Sequence, residues 1–184
     1  LAKTQSTFTS IVPSICYDQL SQTEEFSKAK ADLKINRIQI GSAPVVPHEV
    51  QKFMEQFAIS LYQGYGQTET ALRVTGVPLN LEKNLYERLT KENSIGKPMS
   101  WADVQAMDTQ GNVLAEGQEG ELAVKGPAVM KGYMENPEAN KDAFKNGYFL
   151  TGDLGFYRLI DGVRYFFLKG RIKEIIIKGG VNIS

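Results

Sequence analysis

The chain has too few cysteines for disulfide chemistry and no excess of either charge. Its 184 residues include one cysteine, Cys16, so no disulfide can form within the chain, and a cytoplasmic location fits this composition. Basic and acidic residues number 21 each, which gives a net charge of zero. Nucleic-acid and membrane-surface binding depend on basic residues in excess, so neither kind of partner is expected.

The sequence also lacks long apolar runs. No stretch approaches the roughly 20 apolar residues of a membrane-spanning helix, so no transmembrane segment is expected. The chain starts at Leu1 and stops at Ser184, directly after a glycine-rich turn. We expect it to be a piece of a longer protein. With 42% hydrophobic residues, it can still bury a core.

The first half of the chain predicts an α/β arrangement. Residues 36–40 and 58–62 read as two strands, and a helix beginning at Pro47 lies between them. A strand–helix–strand unit predicts a parallel pair, so the loops 41–44 and 63–69 should lie at the same sheet edge, where such sheets bind ligands. The helix places its apolar residues on one face: Val50, Phe53, Met54 and Phe57.

The second half predicts antiparallel β-structure. Asp161-Gly162 separates the apolar runs 156–160 and 163–168, which is a strong local signal for a hairpin. A further strand is expected at 121–125, and residues 81–89 suggest a short helix between the halves. The predicted fold class is α/β, with a partial parallel α/β layer followed by a small antiparallel β-barrel-like lobe.

One segment stands out for its chemistry. Residues 62–70 combine aromatic rings, two glycines, hydroxyls and the carboxylate of Glu69 just after a strand. Glycine allows backbone to approach a flat ligand closely, a hydroxyl can bind phosphate, and a carboxylate suits Mg²⁺. Such a loop is a moderate signal by itself, because glycine-rich turns beside aromatic residues are common.

Further motifs follow in a specific order. Together they resemble the AMP-forming acyl-CoA synthetase and adenylate-forming ligase superfamily over nearly the whole chain, and indicate part of its large N-terminal domain. The motifs are Gly41-Ser42-Ala43-Pro44-Val45, Tyr65-Gly66-Gln67-Thr68-Glu69, Gly120-Glu121-Leu122, Gly132-Tyr133 with Asn136-Pro137-Glu138, Thr151-Gly152-Asp153, and Gly170-Arg171-Ile172-Lys173.

The resemblance implies a domain organisation. Residues 1–76 would form the α/β portion and residues 77–94 a connecting segment. Residues 95–172 would form the β-barrel-like subdomain, and residues 173–184 the hinge to a C-terminal domain. Lys173 would sit at the hinge, and Gly179-Gly180 would approach the path of pantetheine.

The resemblance also implies roles for single residues. Adenine would be surrounded by Gly41, Ser42, Ala43, Pro44, Gly64, Tyr65 and Gly66. Thr68 would bind the α-phosphate, and Glu69 would hold Mg²⁺. Asp153 and Arg171 would bind the ribose. Thr68 and Glu69 would thus be the catalytic pair. On residue type alone, simpler roles stay open: a core aromatic for Tyr65, a helix cap for Thr68, a turn for Asp153, and exposed charges for Arg171 and Lys173.

The implied reaction uses ATP, Mg²⁺, a carboxylic acid (fatty or other organic) and coenzyme A. The acid would form an acyl-adenylate, and coenzyme A would then accept the acyl group. Two alternatives stay open: a carrier-protein phosphopantetheine as the acceptor, or a nucleotide-binding segment without catalysis. The family's phosphate loop and the lysine of its C-terminal domain have no match in the sequence.

We therefore predict that the 184-residue chain by itself does not catalyse adenylation. It would lack two cationic elements for the charge that develops during transfer, and such stabilisation is usually the largest catalytic term. The measurement is carboxylate-dependent exchange of pyrophosphate into ATP over a panel of acids. Robust exchange by the isolated chain would refute the prediction.

Overall fold

The computed structural model describes residues 5–43, 45–172, 176–178 and 181–183, the last two ranges as backbone only. Internal packing divides the chain into two units. The first consists of Leu1–Gly64 and Val77–Ser94, and the second of Tyr65–Gly76 and Ile95–Ser184. Residues 77–94, expected as a connecting segment, pack within the first unit, and residues 65–76, expected in the α/β portion, pack within the second.

In the part of the chain that the structure describes, the first unit contains a parallel sheet and four helices. Its strands pair in the order β1, β2, β3 with parallel neighbours, and Ile38 lies opposite Leu61 in the β2–β3 register. This confirms the predicted parallel pair around a crossover helix. The elements are β1 (Phe8–Ile11), α1 (Pro13–Ser21), α2 (Thr23–Lys30), β2 (Arg37–Ile40), α3 (Pro47–Phe57), β3 (Ser60–Tyr65) and α4 (Lys83–Lys91).

Helix α3 forms where the sequence predicted it. Pro47 occupies the first turn, where its missing N–H costs no hydrogen bond. The helix ends at Phe57, and the next residue, Ala58, has a left-handed φ of 47°. Its apolar face packs Phe53 and Phe57 edge-on at 4.9 Å between ring centroids, with Phe26 of α2 4.6 Å from Phe57. These rings anchor the core of the first unit.

Helix α4 explains why residues 77–94 belong to the first unit. The Tyr86 hydroxyl donates to the backbone carbonyl of Leu61 in β3 at 2.8 Å, and the Tyr86 and Tyr62 rings lie 5.1 Å apart. Burial raises the pKa of Tyr86 to about 12, so its hydroxyl stays a donor at neutral pH. None of the helices in the described ranges has the length and hydropathy needed to cross a membrane.

The second unit is built on antiparallel strands. Its sheet order is β4-β5-β10-β9-β7-β6, with β8 paired to β9. Strand pairs β4–β5, β6–β7, β7–β9, β8–β9 and β9–β10 are all antiparallel. The elements are β4 (Thr75–Gly76), β5 (Ser94–Pro98), β6 (Asp103–Met107), β7 (Gly120–Lys125), α5 (Pro137–Ala143), β8 (Phe144–Lys145), β9 (Tyr148–Ile160), β10 (Val163–Arg171), β11 (Ile176–Lys178) and β12 (Val181–Ile183).

The hairpin of β9 and β10 positions the functional residues of this unit. The predicted Asp161-Gly162 turn joins the strands, and Ile160 lies opposite Val163. Both strands are longer than predicted, and an irregularity between Leu168 and Gly170 shifts the register. As a result, Arg171 lies directly opposite Asp153, although 18 positions separate them in the chain.

We predict that Phe53→Ala lowers the free energy of unfolding by about 3–5 kcal/mol, the usual cost of removing a buried ring. Phe53 is fully buried and contacts two other rings in its core. The matched control is Lys52→Ala, an exposed neighbour on the same helix, which should change stability by less than about 0.5 kcal/mol. Urea denaturation measures the free energy of unfolding of both variants. Similar small effects for the two variants would contradict the packing described for α3.

Candidate functional site: a buried carboxylate and its donors

The turn after β3 leaves no room for a side chain at Gly66. A Cβ at Gly66 would lie 1.6 Å from the carbonyl oxygen of Leu72, so only glycine fits there. The short 3-10 helix Thr68–Thr70 follows, and then Ala71 and Leu72 both take positive φ values of 49° and 85°. These two left-handed residues reverse the chain and place the Tyr65 carbonyl 2.8 Å from the Val74 N–H.

The carboxylate of Asp153 lies at the centre of this region. Asp153 is 6% exposed, and its Oδ2 accepts a hydrogen bond from the Tyr65 hydroxyl at 2.7 Å. Its Oδ1 pairs with Nε of Arg171 at 2.9 Å, and the Arg171 side chain is half exposed. Burial raises the pKa of Tyr65, and the charge of Asp153 raises it further, so Tyr65 keeps its proton and donates. The structure thus brings together three of the predicted site residues.

A fourth residue joins this cluster, and the sequence analysis assigned it no role. The amide nitrogen of Gln67 donates to Asp153 Oδ2 at 2.8 Å and to the backbone carbonyl of Thr151 at 2.9 Å. Gln67 occupies the middle of the Tyr65-Gly66-Gln67-Thr68-Glu69 motif. Its partners lie more than 80 positions away, so no local pattern in the sequence could have identified the contact.

The Gly120-Glu121-Leu122 motif supports the strand that carries Asp153. The Glu121 carboxylate accepts a hydrogen bond from the Gly152 N–H at 2.8 Å, and the Thr151 hydroxyl donates to the Leu122 carbonyl at 2.7 Å. Leu122 itself is fully buried in the core of the unit. Strand β7 therefore fixes the Thr151-Gly152-Asp153 segment from the side opposite β10 in the sheet order.

Glu69 is held by a second set of contacts within the same unit. The Tyr133 hydroxyl donates to Glu69 Oε1 at 3.0 Å, and the Met130 N–H donates to the Glu69 carbonyl at 2.8 Å. Asn140 of α5 in turn binds both backbone polar groups of Tyr133. Burial raises the pKa of Tyr133, and the hydrogen bond and charge of Glu69 raise it further. Thr68 is exposed beside Glu69, and Tyr133 is a contact that the sequence did not reveal.

The predicted adenine-flanking loop lies in the first unit. A Cβ at Gly41 would lie 2.6 Å from the carbonyl oxygen of Gly64, so the ends of β2 and β3 approach each other as the parallel pairing predicted. Ser42, with φ of 69°, and Ala43 are exposed. Pro44, Lys173 and Gly179-Gly180 lie outside the described residues, so their roles stay predictions.

The residues around Glu69 are compatible with a magnesium ion bound mainly by other oxygen donors. Glu69 is half-buried, and Tyr133 occupies one of its two oxygens. Within the described ranges, no group of three or more His, Cys, Asp or Glu side chains could form a protein cage for a metal. A single carboxylate suits Mg²⁺, which commonly keeps waters and phosphate oxygens as its remaining ligands.

Comparison with known proteins assigns the class. A family model described as "AMP-binding enzyme" matches residues 1–134. The chain therefore belongs to the AMP-binding enzyme family, as the motifs predicted.

Individual relatives agree with this class. The chain is 37% identical over 151 residues to a probable CoA ligase, CCL9, from Humulus lupulus, covering 82% of this chain and 27% of that protein. It is 35% identical over 151 residues to an oxalate–CoA ligase from Arabidopsis thaliana, covering 82% of this chain and 28% of that protein. The crystal structure of ATP-bound MatB from Rhodopseudomonas palustris superposes with a TM-score of 0.82 at 26% identity, covering 99% of this chain and 34% of that one. The chain thus spans about a third or less of the length of these relatives.

We predict that Asp153→Ala destabilises the protein by about 1–3 kcal/mol, because the part-buried donors of Tyr65 and Gln67 lose their acceptor. Asp153→Asn retains one acceptor oxygen and should lose less stability than Asp153→Ala. The exposed Asp142→Ala serves as the control and should stay within about 0.5 kcal/mol of the parent. Thermal and urea denaturation measure the stability of the three variants. An unchanged stability for Asp153→Ala would mean that the cluster contributes nothing to folding.

Proposed function

We propose that the protein containing this chain is an AMP-forming acid–thiol ligase of the acyl-CoA synthetase type. It activates a carboxylic acid with ATP and transfers the acyl group to coenzyme A. The observation that carries the proposal is the Asp153 cluster, in which a buried carboxylate is paired with a half-exposed arginine beside the glycine-rich turn. Membership of the AMP-binding enzyme family and the CoA ligase names of its relatives support it.

The proposed nucleotide contacts follow the chemistry of these side chains. Asp153 accepts two hydrogen bonds from the ribose hydroxyls, and Arg171 donates to the same sugar. We assign the adenine contact to the ring of Tyr65 and to Gly66. Gly64 and the loop Gly41-Ser42-Ala43-Pro44 keep the nucleotide-binding role that the resemblance implies. The exposed hydroxyl of Thr68 binds the α-phosphate.

Glu69 is the proposed magnesium ligand, directly or through water. When bound, Mg²⁺ would neutralise charge on the phosphate oxygens during transfer. Tyr133 keeps its hydrogen bond to Oε1, which orients the carboxylate. The chain's own contribution is to position the nucleotide and the acid, so no side-chain nucleophile is required.

Two steps make up the proposed reaction. A carboxylate oxygen attacks the α-phosphorus of ATP, and the bond to pyrophosphate breaks to give the acyl-adenylate. The thiol of coenzyme A then attacks the acyl carbon, and AMP leaves. We assign Lys173 to the hinge between these steps and Gly179-Gly180 to the pantetheine path. The acid is a fatty or other organic acid, and the proposed location is the cytoplasm, where ATP and coenzyme A are available.

The test of this function uses the full-length protein. Carboxylate-dependent exchange of pyrophosphate into ATP, measured over short-chain, fatty and aromatic acids, detects the first step. Thioester and AMP formation on adding coenzyme A detects the second. AMP binding without exchange for any acid would favour a non-catalytic nucleotide-binding protein, and turnover only with a phosphopantetheinylated carrier would identify the carrier as acceptor.

We predict that Glu69→Gln in the full-length protein lowers adenylation by about 10²–10³-fold, the usual cost of removing one preorganised electrostatic group. Binding of adenosine, which carries no phosphate, should change little, because the charge of Glu69 acts on phosphate and metal. The matched control is Glu138→Gln, an exposed carboxylate on α5 of the same unit. Equal losses of adenylation and adenosine binding would instead assign Glu69 a structural role in its turn.

A further inference from the structure

The segment of residues 130–140 holds Glu69 at two places. The Met130 N–H donates to the backbone carbonyl of Glu69 at 2.8 Å, and the Tyr133 hydroxyl donates to Oε1 of its carboxylate at 3.0 Å. The first contact fixes the backbone of Glu69, and the second fixes its side chain. The segment therefore restricts both the position and the direction of this carboxylate.

Tyr133 is itself fixed by Asn140 of helix α5. The Tyr133 N–H donates to Asn140 Oδ1 at 2.6 Å, and Asn140 Nδ2 donates to the Tyr133 carbonyl at 2.8 Å. A Cβ at Gly132 would lie 2.9 Å from Asn140 Oδ1, so glycine at this position leaves room for the amide. The Asn140 N–H in turn donates to the Asn136 carbonyl at 3.1 Å. The backbone that carries the tyrosine ring is thus attached to α5 by two hydrogen bonds.

A carboxylate that is already held in place is a better metal ligand than a mobile one. A glutamate side chain loses rotamer freedom when it binds a cation, and a hydrogen bond made beforehand reduces that loss. Among the described residues, the Tyr133 hydroxyl is the hydrogen-bond donor to the Glu69 carboxylate, and it uses Oε1. Oε2 is therefore the oxygen available to Mg²⁺ or to a water bound to the ion.

We propose that Tyr133, fixed by Asn140, is a positioning residue that holds the Glu69 carboxylate ready for Mg²⁺ and so favours the metal–nucleotide complex over the nucleotide alone. The inference rests on the proposed function, since it takes Glu69 to be the magnesium ligand. It gives helix α5 a part in metal binding, which the proposed function does not. Tyr133 acts through Glu69 and needs no contact with the nucleotide.

The Tyr133 hydroxyl can be removed without removing the other contacts of its segment. The bond from Met130 to Glu69 joins backbone atoms, and Asn140 binds backbone atoms of Tyr133. Tyr133→Phe therefore deletes the one contact that the proposal concerns. Tyr148→Phe is the matched control, because the Tyr148 hydroxyl also donates to a carboxylate of the same unit, that of Asp103.

The experiment measures the affinity of α,β-methylene-ATP for the full-length protein by calorimetry, once with saturating Mg²⁺ and once in EDTA. The analogue cannot be cleaved at the bond that adenylation breaks. The parent should bind it more tightly with Mg²⁺. Tyr133→Phe should lower the ratio of the two affinities by about threefold to tenfold. This loss is at or below the lower end of the usual range for removing a group that hydrogen-bonds a metal ligand, because the side chain is 37% exposed and water can partly replace the hydroxyl.

The affinity in EDTA should not change in Tyr133→Phe, and Tyr148→Phe should keep the ratio of the parent. Asn140→Ala releases the backbone of Tyr133 and should lower the ratio in the same direction. Glu69→Ala removes the carboxylate, so adding Tyr133→Phe to it should have no further effect. This double-mutant cycle tests whether the tyrosine acts through Glu69.

The outcomes separate this inference from the proposed function. A parent protein with equal affinities in Mg²⁺ and EDTA, or an unchanged ratio in Glu69→Ala, overturns the metal role of Glu69 and the inference with it. A ratio that falls in Glu69→Ala but survives Tyr133→Phe overturns the positioning role alone. Weaker binding of Tyr133→Phe in EDTA to the same extent as in Mg²⁺, or a further loss on the Glu69→Ala background, also overturns the positioning role.

Discussion

The buried charge of Asp153 is the constraint on which the second unit depends. A carboxylate removed from water is unfavourable unless donors replace the water, and Tyr65, Gln67 and Arg171 supply them. Tyr65 ends β3, Gln67 lies in the turn that follows, and Arg171 ends β10, more than 100 positions further along the chain. One carboxylate thereby fixes the turn, strand β9 and the last residue of β10 relative to one another.

Strong local signals in the sequence predicted much of the fold. The apolar face of α3, the parallel pairing of β2 with β3 and the Asp161-Gly162 hairpin were all predicted correctly. Strand β9 was predicted only in part, because Gly152 and Asp153 interrupt its apolar pattern. Its N-terminal half is held by pairing with β7, which is a long-range contact that a local pattern cannot show. The short strands β1 and β5 were missed for the same reason.

The candidate site, like the fold, was predicted only in part. The motifs and the predicted hairpin brought Tyr65, Asp153 and Arg171 together in the hypothesis, and the structure places them in contact. Gln67 and Tyr133 were not predicted to take part, because their partners lie 86 and 64 positions away. Only the folded chain shows that they donate hydrogen bonds to the carboxylates of Asp153 and Glu69.

The two packing units alternate along the chain, and this order affects how the protein can be made. A ribosome releases residues 65–76, which pack with the second unit, before residues 77–94, which complete the first. The first unit therefore lacks α4, and the tyrosine that binds β3, until an early piece of the second unit has already emerged. A single cut in the gene cannot separate the two units, so each could be expressed alone only by joining two distant segments with a new linker.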